Sequence, residues 1–141
     1  MYLIFDTETT GVPHNKTAPL TDLDNWPRVV QIAWELHDNK GGLLSQHNYI
    51  IKPEGFDIPY KAEQIHGIST KRAMEEGHRL DGILAIFAED MEKSSVLIGH
   101  NIEFDIIECL FVTKFQLIFS DSLLQLMDKD QINSCGQFNT R

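Results

Sequence analysis

The run YLIFDTETTG, residues 2–11, constrains the fold more than any other part of the chain. Four apolar residues, Tyr2 to Phe5, lead without polar alternation into Asp6 and Glu8. Such a run predicts a strand buried on both faces. Strand side chains alternate, so Asp6 and Glu8 at i and i+2 point to the same side. They would sit at the strand's carboxyl end, where open α/β sheets bind ligands. Two carboxylates there are costly unless a cation binds between them, and a hard divalent metal is the simplest partner.

The pattern downstream predicts the rest of an α/β domain. After Thr9-Thr10-Gly11 comes VPHNKTAPLTDLDNWP, a loop with three prolines. It exceeds the usual limit of about 12–15 residues, which marks it as functional or mobile. Arg28–Asp38 and Leu43–Ile51 read as two strands joined at Lys40-Gly41-Gly42, an antiparallel hairpin stopped by Lys52-Pro53. Residues 60–69 predict a short helix ending at Gly67, and Ser69 or Thr70 caps another through about Glu76. Leu80, Ile83, Leu84, Phe87 and Met91 form the stripe of a helix over 80–93. Val96-Leu97-Ile98 reads as a short buried strand. A helix then starts with Asn101 as N-cap, with Ile102, Ile106, Ile107, Leu110 and Phe111 on its apolar stripe. The order gives a mixed sheet flanked by helices.

Length and charge narrow the class. A chain of 141 residues with 42% hydrophobic content supports one domain with a real core. The net charge of −9 counts against a broad basic face gripping nucleic acid, though not against a few nucleotides held through metal. No apolar stretch is long enough to span a bilayer, and the N-terminus lacks the features of a secretory signal. The only two cysteines, Cys109 and Cys135, suggest neither a disulfide framework nor a zinc site, so a cytoplasmic location is expected.

The second informative run is GHNIEFDI, residues 99–106. With Asn101 as cap, Asp105 falls about one turn into the helix, and Phe104 beside it is expected to turn toward the core. If the 96–98 strand neighbours the first, Asp105 faces Asp6 and Glu8 across the sheet end, and three carboxylates converge. Read alone, Asp105 is an acid favoured by the helix dipole, His66 a helix-end histidine, Asn101 a cap and Phe104 a core residue. His100 is assigned no chemistry.

Together these runs resemble a known family. FDTETTG is similar to the first exonuclease motif of the DEDD superfamily, and GHNIEFD to its second. IHGIS, residues 65–69, resembles the element between them in the proofreading epsilon subunit of bacterial DNA polymerase III and its relatives. The resemblance covers about residues 2–107 in the family's order. It implies a ribonuclease-H-like fold and metal-dependent 3′–5′ exonucleolysis with two Mg²⁺ or Mn²⁺ ions, one activating water and one stabilising the leaving 3′ oxygen. Carried over, Asp6 would bridge the metals, Glu8 would bind the catalytic metal and orient the water, and Asp105 would hold the second metal. Thr9 would meet the terminal nucleotide, His66 would lie near its sugar or base, and Asn101 and Phe104 would shape the groove. The partner implied is the 3′ end of a single strand, DNA ahead of RNA, although no residue announces a contact to the 2′ position. A DNA polymerase subunit is a further implied partner.

The family's third motif is missing. The epsilon-like branch has a histidine, the general base, followed five residues later by an aspartate, and the other branch replaces that histidine with a tyrosine. Here no histidine follows His100 and no tyrosine follows Tyr60. Asp121, Asp128 and Asp130 have no such partner and read as caps or solvated acids. Residues 1–107 therefore read as an exonuclease-like core. Residues 108–141 read as a divergent or truncated C-terminal segment, apolar over 108–127 and fraying over 128–141, so that the domain is C-terminally incomplete. The expectation is an exonuclease impaired as it stands. The alternative is a catalytically inactive module that binds nucleic acid or docks on a polymerase.

Overall fold

In the computed structural model the described residues are 1–19, 22, 24–106, 132–133 and 137–139. They form strands β1 (Tyr2–Thr9), β2 (Val29–His37), β3 (Leu43–Ile50) and β4 (Val96–Ile98), helices α1 (Tyr60–His66), α2 (Thr70–Glu76), α3 (Leu80–Lys93) and α4 (Ile102–Ile106), and short strands β5 (Ile132–Asn133) and β6 (Gln137–Asn139). The sheet order is β3-β2-β1-β4-β6-β5. Only β1 and β4 run parallel; the other pairs are antiparallel. Expected boundaries from Tyr2 to Ile98 hold to within a residue or two, as periodicity and turn chemistry allow.

One face of the sheet carries the main core. Leu3 and Phe5 of β1 pair with Leu36 and Trp34 of β2, and all four are buried. Helix α3 closes this face with Ile83, Leu84, Phe87 and Met91. Each fully buried side chain of this size contributes about 1.5–3 kcal/mol. The Phe87 ring stands 5.3 Å from Phe5 and edge-on to Trp34 at 5.2 Å. A second cluster joins Val30 to α1 and α2 through Ile58, Ala62, Ile68 and Ala73. The turn between these helices follows the residues expected for it. Gly67 adopts φ 75°, which a residue with a Cβ rarely tolerates, and the Ser69 side chain accepts from the Arg72 N–H.

The opposite face departs from expectation. Ile4, inside the run taken to be buried on both sides, is 39% exposed. It lines an open trough of about 540 Å³ with Ala33, Glu35, Asn48, Ile98 and His100. An unbroken apolar run does not show which face the rest of the chain covers.

Two further expectations change. The segment 128–141 does not simply fray: β6 pairs antiparallel with β4, Leu97 opposite Phe138, and β5 pairs with β6. The proline-rich loop is held at several points. Trp26 is buried and donates Nε1–H to the Pro19 carbonyl at 3.0 Å. Asn25 exchanges two bonds with the Asn15 backbone at 2.7 and 2.9 Å. Thr10 and Arg28 exchange bonds where the loop leaves and rejoins the sheet. The apolar stretch 108–127, the stripe residues Ile107, Leu110 and Phe111, Cys109, Cys135, and Asp121, Asp128 and Asp130 lie outside the described residues.

Candidate active site

Strand β1 carries the first two acids past the end of its parallel neighbour. β4 pairs Ile98 with Ile4 and stops there, so Asp6 to Thr9 extend beyond it. On the other side β2 follows β1 to its end, Asp6 opposite Ala33 and Glu8 opposite Gln31, with a register shift after Glu8. Asp6 and Glu8 share a face, as alternation requires. Asp6 is exposed at the trough and Glu8 is half-buried.

Leaving β4, the chain turns tightly across β1. A Cβ at Gly99 would stand 3.3 Å from the Phe5 carbonyl and 3.2 Å from Ile102, so a side chain here would force the turn outward. The Asn101 carbonyl accepts the N–H groups of Phe104 and Asp105 and starts α4. Ile102 enters the main core. Asp105, three residues on, lies on the same side of the helix and is buried. Phe104, expected to turn toward the core, is half-buried.

Asp105 reaches β1 from the side of Thr7. The Thr7 hydroxyl donates to Asp105 Oδ1 at 2.6 Å. Thr7 lies between Asp6 and Glu8 and points to the opposite face. The three acids therefore approach the strand end from two sides, and among the described residues no three acids, histidines or cysteines lie close enough to hold a metal ion. The expected convergence is thus partial: Asp105 feels the charge of Asp6 without forming a closed cage. Thr7 was not singled out in the sequence. Its signal was there, since the middle residue of Asp-x-Glu must face the side from which the packed helix arrives.

Burial and neighbouring charge both act on Asp105. Burial raises its carboxyl from 3.8 to about 6, and the Asp6 charge adds to the rise; bonds from Thr7 and the proximity of His100 oppose it. Among the described residues, Asp105 Oδ2 is buried without a hydrogen-bond partner. An unpaired buried carboxylate oxygen beside a second carboxylate fits a hard cation, and an all-oxygen donor set suits Mg²⁺ or Mn²⁺.

The remaining candidates are described by their own local contacts. Thr9 is half-buried and donates its hydroxyl to the Gly11 carbonyl at 2.7 Å, which shapes the turn after β1. Asn101 is exposed at the start of α4. His66 ends α1, and its Nδ1 accepts the Ile68 N–H at 3.1 Å, which leaves the ring proton on Nε2. That Nε2–H is buried and has no partner.

Comparison with known proteins fits this geometry. The sequence model of the family RNase_T, described as Exonuclease, matches residues 3–122. No curated protein sequence matches the chain. Among solved structures, E. coli Exonuclease I in complex with a dT13 oligonucleotide is similar at 21% identity and a TM-score of 0.59, over 79% of this chain and 23% of that one. Exonuclease I without ligand gives 20% and 0.59 over 79% and 24%, and a complex of Exonuclease I with SSB-Ct gives 19% and 0.59 over 79% and 23%. The chain spans about a quarter of the length of these proteins, and the likeness shows a shared fold, the ribonuclease-H-like mixed sheet flanked by helices.

Proposed function

Since this chain belongs to the RNase_T exonuclease family, we propose that it is a metal-dependent 3′–5′ exonuclease domain of the epsilon-like, proofreading type, acting on single-stranded 3′ ends, DNA ahead of RNA. The observation that carries the reading is Asp105: a buried carboxylate with one oxygen held by Thr7 and the other unpartnered, on the helix that follows β4, next to Asp6.

In this reading Asp6, Glu8 and Asp105 hold Mg²⁺ or Mn²⁺. When bound, the ions supply an activated water and stabilise the charge on the leaving 3′ oxygen. The chain's own residues do the positioning. Thr7 fixes the rotamer of Asp105 and leaves Oδ2 available. β2 and the register shift after Glu8 set the direction of the Glu8 side chain. His66, at the end of α1, lies near the sugar or base of the terminal nucleotide in this reading. Thr9, Asn101 and Phe104 border the path of the strand.

One observation favours a second reading. After Asp105 the sequence offers no histidine or tyrosine to take the proton from the attacking water. Loss of a general base lowers rates by about 10²–10⁴-fold, so, for residues 1–141 taken by themselves, the second reading is an impaired nuclease or a module that holds a 3′ end, or a polymerase, without cleaving. Incubating a 5′-labelled single-stranded oligonucleotide with Mg²⁺ or Mn²⁺, beside Asp6→Ala, separates the readings. A 3′-to-5′ ladder that vanishes in the variant supports the enzyme. Folded protein that binds the oligonucleotide without shortening it supports the binding module.

A further inference from the structure

Arg28 is an arginine that no acid meets. The other two arginines among the described residues are paired: Arg72 with Glu76 at 3.0 Å, and Arg79 with Asp81 and Glu54 at 2.8 and 3.1 Å. Both of those side chains are exposed, where an ion pair contributes little. Arg28 is the reverse case. It is half-buried, and among the described residues its guanidinium has neither an ion pair nor a hydrogen-bond acceptor, in a chain with 21 acids. What it does have is Phe56, whose ring centre lies 6.0 Å from Cζ. A ring contact orients a guanidinium without supplying an oxygen for its five N–H donors. Drawing such a group partly out of water without an anion is unfavourable, so the arrangement suits an anion that arrives from outside.

The backbone fixes where that charge stands. Arg28 N–H donates to the Thr10 hydroxyl, and Thr10 N–H donates to the Arg28 carbonyl, both at 2.9 Å. Val29 lies opposite Thr9. Arg28 is therefore anchored two residues past Glu8, at the acid-bearing end of the sheet. Phe56 packs against the cluster of Val30, Ile58 and Ala62 that seats α1, so the side chain leads from the strand end toward that helix. With a net charge of −9, the chain repels a phosphate backbone over most of its surface. An unpaired guanidinium beside the acids offsets that repulsion where a strand must enter. Its planar fork matches two oxygens of one phosphate.

We propose that Arg28 binds a non-scissile phosphate of the single strand whose 3′ end lies at Asp6, Glu8 and Asp105. The proposal rests on the exonuclease reading and adds a second point of attachment to it. The acids hold the terminal linkage through metal; Arg28 holds a linkage that the metal does not touch. It is a binding residue and touches no reacting atom.

The test is fluorescence anisotropy of a 5′-labelled single-stranded oligonucleotide on the full chain, with Ca²⁺ in place of Mg²⁺ to hold turnover back. Arg28→Gln should weaken binding by about 10–100-fold, as for a lost hydrogen-bonded charge. The slope of log affinity against log salt should become shallower by about 0.7, the value for one phosphate of a single strand. Lys40→Gln, in the exposed turn at the other end of the sheet, should leave the slope unchanged. A packing role alone would lower the urea midpoint of Arg28→Gln and leave the slope as it was. A second measurement keeps the charge and does not need that variant to fold. Arg28→Lys should bind several-fold less tightly than the wild type, and a neutral methylphosphonate at one non-scissile linkage should abolish the difference. A wild-type slope in folded Arg28→Gln, or a difference between lysine and arginine that survives neutralisation of every linkage in turn, would overturn the proposal and leave the exonuclease reading standing. A wild-type chain that binds neither metal nor oligonucleotide would overturn both.

Discussion

Thr7 and Asp105, 98 residues apart in sequence, are joined by a 2.6 Å hydrogen bond that ties the first strand to the helix after the fourth. The bond satisfies one oxygen of a buried carboxylate and leaves the other without a partner among the described residues. It turns two separate sequence motifs into one structural unit.

Replacing Thr7 by Val keeps the shape and removes the donor. Asp105 then loses the hydroxyl donor and keeps only the backbone contact to Thr7, and the metal-free protein should lose about 1–3 kcal/mol in urea unfolding. Metal affinity measured by calorimetry should fall by about 10–100-fold, the usual effect of losing a group that orients a ligand. An unchanged affinity would show that Thr7 does not set the position of Asp105.

Asp105 also predicts a pH dependence. Its carboxyl is raised from 3.8 to about 6, first by burial and then by the charge on Asp6. A carboxyl raised on folding favours the folded state when protonated. That contribution is full below the unfolded value and is lost as pH rises through the folded one. Without metal, the wild type should therefore lose stability relative to Asp105→Asn as pH rises from about 4 to about 7. Saturating Mg²⁺ should remove the loss, because a bound cation favours the ionised form. The readout is the difference in urea midpoint between the two proteins across that range.

Asp90 on the core face behaves in the opposite sense. Burial pushes its carboxyl up, but bonds from Lys93, Ser45 and the Trp34 indole outweigh it and hold the value below 3.8. Its contribution is present above the unfolded value and is lost as pH falls through the folded one. Asp90→Ala leaves the buried indole N–H without a partner, and unfolding followed by tryptophan emission should show a loss of about 1–3 kcal/mol at neutral pH.

The loop after β1 offers a kinetic test. Asn25→Ala removes both bonds to the Asn15 backbone. Brief trypsin treatment should then cut the exposed Lys16 faster than in the wild type, with little change in global unfolding. Equal cleavage rates would mean that the Trp26 contact and the backbone bonds of the loop hold it without the Asn25 side chain.

Local chemistry made much of the fold legible. Gly67 and Ser69 marked a helix end and a helix start, and the stripe from Ile83 to Met91 marked the helix that covers the core. Those signals depend on neighbours within a turn. What escaped depends on packing between distant segments. The exposure of Ile4 is decided by which face other segments cover, and no run of apolar residues encodes that. The burial of Asp105 follows from where Ile102 anchors α4. At the site the two acids of Asp-x-Glu were readable from alternation, and so, with the helix in view, was the opposite orientation of Thr7. Trp26 and Asn25 show the same limit: a loop rich in prolines reads as loose until its buried tryptophan finds the Pro19 carbonyl.

Because β4 stops level with Ile4, the acid-bearing end of β1 is a cantilever, hydrogen-bonded along β2 and, among the described residues, met on its other flank by no strand. Strain applied there bends the projecting segment without breaking the ladder that holds the rest of the sheet. The spacing between Asp6 and Asp105 is thus a soft coordinate, set by the tight turn at Gly99 and the tether from Thr7. A cation drawing the two carboxylates together deforms the most compliant part of an otherwise stiff sheet.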